Sequence, residues 1–214
     1  MSDVQGKHKK QSGGHGQYGH VKMTFEPSGN MEQAYEFTES VVGGAVPKNY
    51  FPAVEKGLNE SVISGPLAAY PVVGVHANLY DGSYHPVDSS EMAFKVAAKG
   101  AFKDGVLKAK PILLEPIETL KVTVPDSYTG DVMGDLNKRR GRGLGMNPVD
   151  GGKTEVVAEV PMAELYGYDT TLRSMTGGYG VFEYELARYE QCPSDVQAKE
   201  VERRASKIKD VEEE

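Results

Sequence analysis

Tryptophan is absent from this chain of 214 residues, and cysteine occurs once, at Cys192. One thiol cannot close an internal disulfide, so the fold must rest on packing, and a reducing cytoplasm is the expected compartment. Cys192 also lacks a partner motif for nucleophilic work and reads as inert. No apolar run approaches the roughly 18–20 residues that cross a bilayer, so no membrane contact is expected. The opening segment, Met1 to Lys10, lacks the apolar stretch of a signal peptide. The five histidines never fall at metal-ligand spacing with cysteines or carboxylates. Positive charge is also short: 24 Lys and Arg against 31 Asp and Glu give a net charge of −7. That balance argues against a general nucleic-acid coat.

What charge there is lies unevenly. Lys7, Lys9, Lys10 and Lys22, with His8, His15 and His20, face the single acid Asp3 in the first 22 residues. A second basic knot is Lys138-Arg139-Arg140-Gly141-Arg142, and acid gathers at Glu212-Glu213-Glu214. Such asymmetry suits a protein that touches RNA at selected points and is repelled elsewhere.

Periodicity orders the elements. Gln17–Pro27 alternates Val21, Met23 and Phe25 with polar residues and predicts a strand, as does Ala34–Val42. The segment before it reads as a basic loop, without a preceding strand, as in a truncated chain. Asn49–Gly65 predicts a helix with Pro52 in its first turn and Val54, Leu58 and Val62 at fourfold spacing. Tyr70–Leu79 predicts a strand closed by Asp81-Gly82, with His76 as a satisfied core histidine. Asp88-Ser89-Ser90-Glu91 has capping-box spacing with Asp88 as the cap. The helix after it, Ser90–Phe102, places Phe94, Ala98, Ala101 and Phe102 on one side, is weakened by Gly105 and is stopped by Pro111. Pro111 to Pro116 brackets a short apolar run and reads as an interdomain hinge.

Beyond the hinge the pattern is strand Ile117–Val124, helix Thr129–Arg140, strands Leu144–Val149 and Thr154–Val160 around Asp150-Gly151-Gly152, helix Met162–Met175 and strand Tyr179–Tyr189. That βαββαβ order predicts a ferredoxin-like sandwich. The fold class is therefore α+β with two small domains: residues 1–113, residues 114–193 as the ferredoxin-like unit, and a helix with an acidic tail over 194–214.

Three motif matches fail on context. Gly14-His15-Gly16-Gln17-Tyr18-Gly19 fits the dinucleotide fingerprint G-x-G-x-x-G, but a strand follows it where a helix is required. Gly151-Gly152-Lys153-Thr154 resembles the end of a P-loop, yet it leads into a strand, so its amides cannot converge on phosphate. Gly178 to Tyr184 approximates an aromatic RNA-recognition strand. It lies on the fourth strand instead of the third, so Tyr179, Phe182 and Tyr184 read as packing residues. Ser89, Ser90, His85 and Asp88 are sequence neighbours at a helix cap, whereas a triad converges from separate elements. The chain alone is not expected to be an enzyme.

The remaining signal is a pair of polar segments, Lys10-Gln11-Ser12-Gly13-Gly14-His15-Gly16-Gln17-Tyr18-Gly19 and Gly82-Ser83-Tyr84-His85-Pro86-Val87-Asp88-Ser89-Ser90-Glu91. Small residues, amides, hydroxyls and imidazole beside positive charge suit the 2′-hydroxyls and phosphates of an A-form minor groove. Together these segments resemble the two tip loops of the fourth domain of bacterial elongation factor G. Asp131-Val132-Met133-Gly134-Asp135-Leu136-Asn137-Lys138-Arg139-Arg140-Gly141 and Leu165-Tyr166-Gly167-Tyr168 resemble its fifth domain. The resemblance runs from about Gly6 to about Cys192, with Pro86 where the family commonly has an acid. It implies a ribosomal-protein-like α+β domain IV followed by domain V. It also implies tip contacts through Lys9, Lys10, Gln11, Ser12, Gly13, Gly14, His15, Tyr84 and His85, and a weaker RNA contact through Lys138, Arg139 and Arg140. The partners implied are the ribosome, through 16S and 23S ribosomal RNA, and the tRNA–mRNA pair at the decoding site. This stretch would act as a monomer without a cofactor of its own, GTP and magnesium belonging to the family's G domain. The alternatives are a GTP-independent RNA-binding regulator and a ribosome-protection type of paralogue.

Overall fold

The computed structural model describes residues 1–11 and 13–213, the side chains of residues 209–213 excepted. Alternation decides the first sheet. Along β2 (Gln17–Pro27), Val21, Met23 and Phe25 turn inward and are buried, while His20, Lys22, Thr24 and Glu26 face out. The segment expected to be a loop is itself a strand, β1 (Ser2–Lys10), paired antiparallel with β2 from Ser2↔Phe25 to Lys10↔Gln17. Its inward side carries only Ser2, Val4 and Gly6, so it has almost no hydrophobic signature. A Cβ on Gly6 would lie 1.9 Å from the Ala97 carbonyl oxygen, because a helix crosses directly over the strand.

β3 (Tyr35–Glu39) is shorter than its apolar stretch suggests and runs parallel to β4 (Val75–Ser83), which pairs antiparallel with β2; the order is β1-β2-β4-β3. α1 (Phe51–Ser61) follows a 3-10 turn at Lys48–Tyr50. It stops before Gly65 because Pro66 has no N–H to offer the Val62 carbonyl, which accepts from Val72 N at 2.8 Å instead. Pro71 and the left-handed Gly74 (φ 72°) push β4 later than expected, and it runs on through Asp81-Gly82 across a bulge at Lys22/Met23. His76 is not a core residue. It lies on the open sheet face, bonded to Glu26 Oε1 (3.0 Å) and Thr38 Oγ1 (2.8 Å).

α2 (Glu91–Lys108) runs more than one and a half turns beyond its expected end at Phe102. Gly105 lets it continue: a Cβ there would sit 2.2 Å from the Phe25 ring, so glycine permits close packing rather than weakening the helix. Phe25 and Phe102 meet edge to face at 5.9 Å, and Tyr50 stacks on Phe94 at 4.5 Å. Val54, Leu58, Phe94, Ala98 and Phe102, the residues placed on inner helix faces by spacing, are all buried in one core with β2 and β4.

The second sheet has the order β6-β7-β5-β8, with all neighbours antiparallel: β5 (Leu114–Pro125), β6 (Arg142–Val149), β7 (Lys153–Pro161) and β8 (Val181–Gln191). α3 (Thr129–Lys138) joins β5 to β6, and α4 (Tyr168–Met175) joins β7 to β8. This is the ferredoxin-like βαββαβ sandwich. The expected helix over 162–175 divides into a 3-10 turn, Met162–Leu165, and α4, with Gly167 at φ 70° between them. Leu120, Val122 and Val156 pack against Val132, Leu136, Tyr168 and Leu172. Phe182 meets Tyr168 edge to face at 5.1 Å; Tyr184 is half exposed and stacks on Phe182 at 6.3 Å, while Tyr179 is exposed instead of packed. Leu114 already belongs to β5, so the strand begins inside the bracketed run and takes Pro116 with it, opposite Tyr189 of β8 and ahead of the β7 pairing.

Two units result, residues 1–111 with 195–214 and residues 112–194. The last helix, α5 (Ser194–Glu213), thus belongs with the first unit. There Arg204 lies over the Tyr70 ring at 3.8 Å and donates to the carbonyls of Ala68 (2.6 Å) and Ala69 (2.9 Å), while Tyr70 donates to Glu200 Oε1 (2.5 Å). The side chains of the acidic end lie outside the described residues.

Candidate RNA-contact loops

The β1–β2 hairpin closes at Lys10↔Gln17 and turns through Gly13 (φ 44°) and Gly14 (φ 124°), conformations that favour glycine. The second loop leaves β4 after Ser83 and enters α2 at Glu91. The α2 cap is Ser90, whose Oγ accepts from Ala93 N at 3.2 Å, and not Asp88. Asp88 instead reaches across to the hairpin. Its Oδ1 accepts from Gly16 N at 2.9 Å, and its carbonyl accepts from Tyr18 N at 2.9 Å. Ser89 Oγ donates to the Tyr18 carbonyl (2.9 Å) and accepts from His85 N (2.8 Å). The two polar segments therefore form one structure.

Between them lies a cleft of about 210 Å³ lined by Lys9, Lys10, Gln11, Gln17, Tyr18, His85 and Asp88. Lys9 and Lys10 sit at the end of β1, and neither makes an ion pair among the described residues. Gln11, Gly13, Gly14 and His15 are exposed in the hairpin loop; Ser12 lies outside the described residues. Tyr84 is exposed beside the cleft without lining it. His85 Nδ1 accepts from Val87 N (3.3 Å) and Asp88 N (3.2 Å) and lies 3.4 Å from Asp88 Oδ2. The three glycines of the G-x-G-x-x-G match have separate duties here. Gly14 turns the hairpin, Gly16 clears the Asp88 carboxylate, and Gly19 passes beneath Ala93 of α2.

Sequence reasoning missed the open sheet face behind the loops. Tyr18 OH bonds Ser83 Oγ (2.7 Å), Ser83 bonds His20 Nδ1 (2.8 Å), and His20 Nε2 bonds Gln5 (3.1 Å). Burial first, then Lys7 and Lys22, hold the His20 imidazole below its usual value of 6.5. Lys22 is neutralised by Asp81 at 2.7 Å, and Lys7 lies 5.7 Å from the Tyr18 ring centre. The alternation that placed Val21, Met23 and Phe25 inside also implies this outward row.

The basic knot of the second unit is arranged otherwise. Arg139 bonds Asp135 (2.8 Å), the Glu164 carbonyl (2.5 Å) and Thr171 (3.0 Å). Arg140 grips Glu115 with both terminal nitrogens (2.8 and 2.9 Å) and Glu164 with Nε (3.0 Å), and the Glu115 hydrogen bonds push its pKa up. Arg142 and Arg188 share Glu159 and Glu190. Of the three cations expected to face RNA, Lys138 alone is exposed; Arg139 and Arg140 are drawn inward by acids close to α3 in space. Gly151 and Gly152 turn the β6–β7 hairpin with φ of 86° and 71°.

Two α+β units in tandem, one bearing a two-loop basic tip and the other a ferredoxin-like sandwich, set the structural class. Residues 1–110 match the family described as elongation factor G, domain IV, and residues 112–200 match elongation factor G C-terminus. The chain belongs to the elongation factor G family. It is 49% identical over 206 residues to an elongation factor G-like protein of Thermotoga maritima, covering 96% of this chain and 30% of that protein. A crystal structure from Thermus thermophilus superposes with a TM-score of 0.77 at 45% identity, over 95% of this chain and 30% of the other. The chain thus spans about a third of the length of these relatives.

Proposed function

We propose that this chain is the ribosome-contacting part of a translocating elongation factor in the cytoplasm. The tip formed by Lys9, Lys10, Gln11, Gly13, Gly14, His15, Tyr84 and His85 holds the tRNA–mRNA pair at the decoding site, while Lys138 faces large-subunit RNA. The observation that carries the reading is the fastening of two distant loops around one cleft whose lysines have no acidic partner among the described residues. Unpaired lysine and a preformed polar rim are what a backbone of phosphates and 2′-hydroxyls requires. No described helix is long and apolar enough to cross a membrane. GTP hydrolysis, on this reading, belongs to a G domain elsewhere in the family architecture, and the tip works by steric and hydrogen-bond contact.

The test uses a full-length factor carrying these two domains. His85→Ala should slow messenger movement in rapid mixing by roughly tenfold, the scale of one or two lost polar contacts, while phosphate release on the ribosome stays near wild type. Equal losses in both steps would refute the assignment.

A further inference from the structure

We propose that Asp88 and Ser89 are the positioning residues of the tip: they fasten the two loops together and fix His85 as a hydrogen-bond donor through Nε2. The inference rests on the reading of the tip as an RNA contact and adds how that contact is preset.

Three hydrogen bonds join residues about seventy apart in sequence, and a fourth closes the turn between His85 and Ser89. Gly16 N donates to Asp88 Oδ1, Tyr18 N donates to the Asp88 carbonyl, and Ser89 Oγ donates to the Tyr18 carbonyl while receiving His85 N. Gly16 fits the arrangement by lacking a side chain, since a Cβ there would stand 3.1 Å from the Asp88 carboxylate. The same turn sets the imidazole. Two backbone N–H groups, of Val87 and Asp88, point at His85 Nδ1 at 3.3 and 3.2 Å, closer than Asp88 Oδ2 at 3.4 Å, and favour a lone pair on that nitrogen. In the neutral ring the proton then sits on Nε2, which has no hydrogen-bond partner among the described residues. A ring presented in this way offers one donor to an acceptor: a phosphate oxygen, a ribose hydroxyl oxygen or a minor-groove base edge. The lysines beside it favour the phosphate.

Loops held open before binding cost less to order when RNA arrives, so the fastening acts on affinity. Losing the Asp88 acceptor should therefore weaken binding by about five- to tenfold, the scale of one or two intramolecular hydrogen bonds. The charge of Asp88 is not what matters; Asn keeps an acceptor oxygen at the same place.

Nitrogen-15 spectra of the free chain come first. Wild type and Asp88→Asn should show a slowly exchanging Gly16 amide and the Nε2–H tautomer of His85. Asp88→Ala and Ser89→Ala should lose the Gly16 protection. Binding to purified small ribosomal subunits comes second, with Asp88→Asn near wild type and Asp88→Ala weaker by the stated factor at unchanged thermal midpoint. Loss of Gly16 protection with unchanged binding would overturn the positioning role, as would an Nδ1–H tautomer in the wild-type spectrum. If His85→Ala and Lys10→Gln also bind as wild type does, it is the RNA reading that fails, and the spectra alone then decide whether the loops are fastened.

Discussion

The chain has two basic clusters, and they are arranged in opposite ways. At the tip of the first unit, Lys9 and Lys10 end a strand beside a cleft and form no ion pair among the described residues. In the second unit, Arg139, Arg140, Arg142 and Arg188 are each held by carboxylates, several by two. The residue types fit the arrangement. Arginine offers a planar fork that locks onto carboxylates two bonds at a time, whereas lysine offers a mobile point charge that suits a phosphate backbone. A run of positive residues in a sequence is therefore not yet a nucleic-acid site; what matters is whether the fold brings acids to it.

The contrast breaks most readily at Arg140. Its Glu115 partner is only 12% exposed, so Arg140→Ala leaves a largely desolvated carboxylate unpaired. The second unit should lose about 2 kcal/mol in urea unfolding, less than a fully buried pair would cost because the arginine is partly solvated. Small-subunit binding should be unchanged. A stable variant with weakened RNA binding would reverse the roles assigned to the two clusters.

Charge removal at the tip should do the converse. Lys9→Gln with Lys10→Gln should reduce ribosome affinity roughly tenfold and flatten its logarithmic salt slope by about two, one for each lost phosphate contact. Lys138→Gln should flatten the slope by about one, and protect different RNA from chemical probes. Folding stability should not move in either variant. Identical lost footprints would show that the two units do not address separate RNAs.

The smallest effect separates the units by pH. His20 has a lowered pKa, so the unfolded chain binds its proton first; the associated stability is present above about pH 6.5 and is lost as pH falls below that. Glu159, held mainly by Arg188, and Glu190, held mainly by Arg142, lie below the usual 4.5, so their contribution survives until pH falls under that value. Between roughly pH 6.5 and 5, amide protection factors, taken relative to intrinsic exchange, should therefore fall in β2 while those in β5 stay constant, and His20→Gln should abolish the difference. Lost protection in β5 over that range would contradict the assignment.

Much of this architecture can be read from the chain because it depends on periodicity: β2, α1, α2 and the βαββαβ order all follow from side chains alternating between core and solvent. β1 is not legible, since its inner side is Ser2, Val4 and Gly6 and its place is set by a helix crossing above it. The loops can be found by composition, but their union cannot. Asp88 reads as a cap because Glu91 follows three residues later, whereas its partner is the amide of Gly16, 72 positions away. Arg140 misleads for the same reason: Glu115 and Glu164 are remote in sequence and close only in space, whereas the Asp135 partner of Arg139 stands four residues before it.

The return of α5 to the first unit has a consequence for assembly during synthesis. The Tyr70–Glu200 contact spans 130 positions, so the ring must wait for that many further residues to emerge. The wait is made cheap by the other unit. Leu114 pairs with Gln191, and Cys192 N reaches the Leu113 carbonyl at 3.0 Å, so once the sandwich folds, its entry and exit strands lie side by side. A closing loop of that length is then reduced, in entropic terms, to a few free residues. The second unit behaves as a cassette inserted into the first, and its folding brings the last helix within reach of the place it was made to fill.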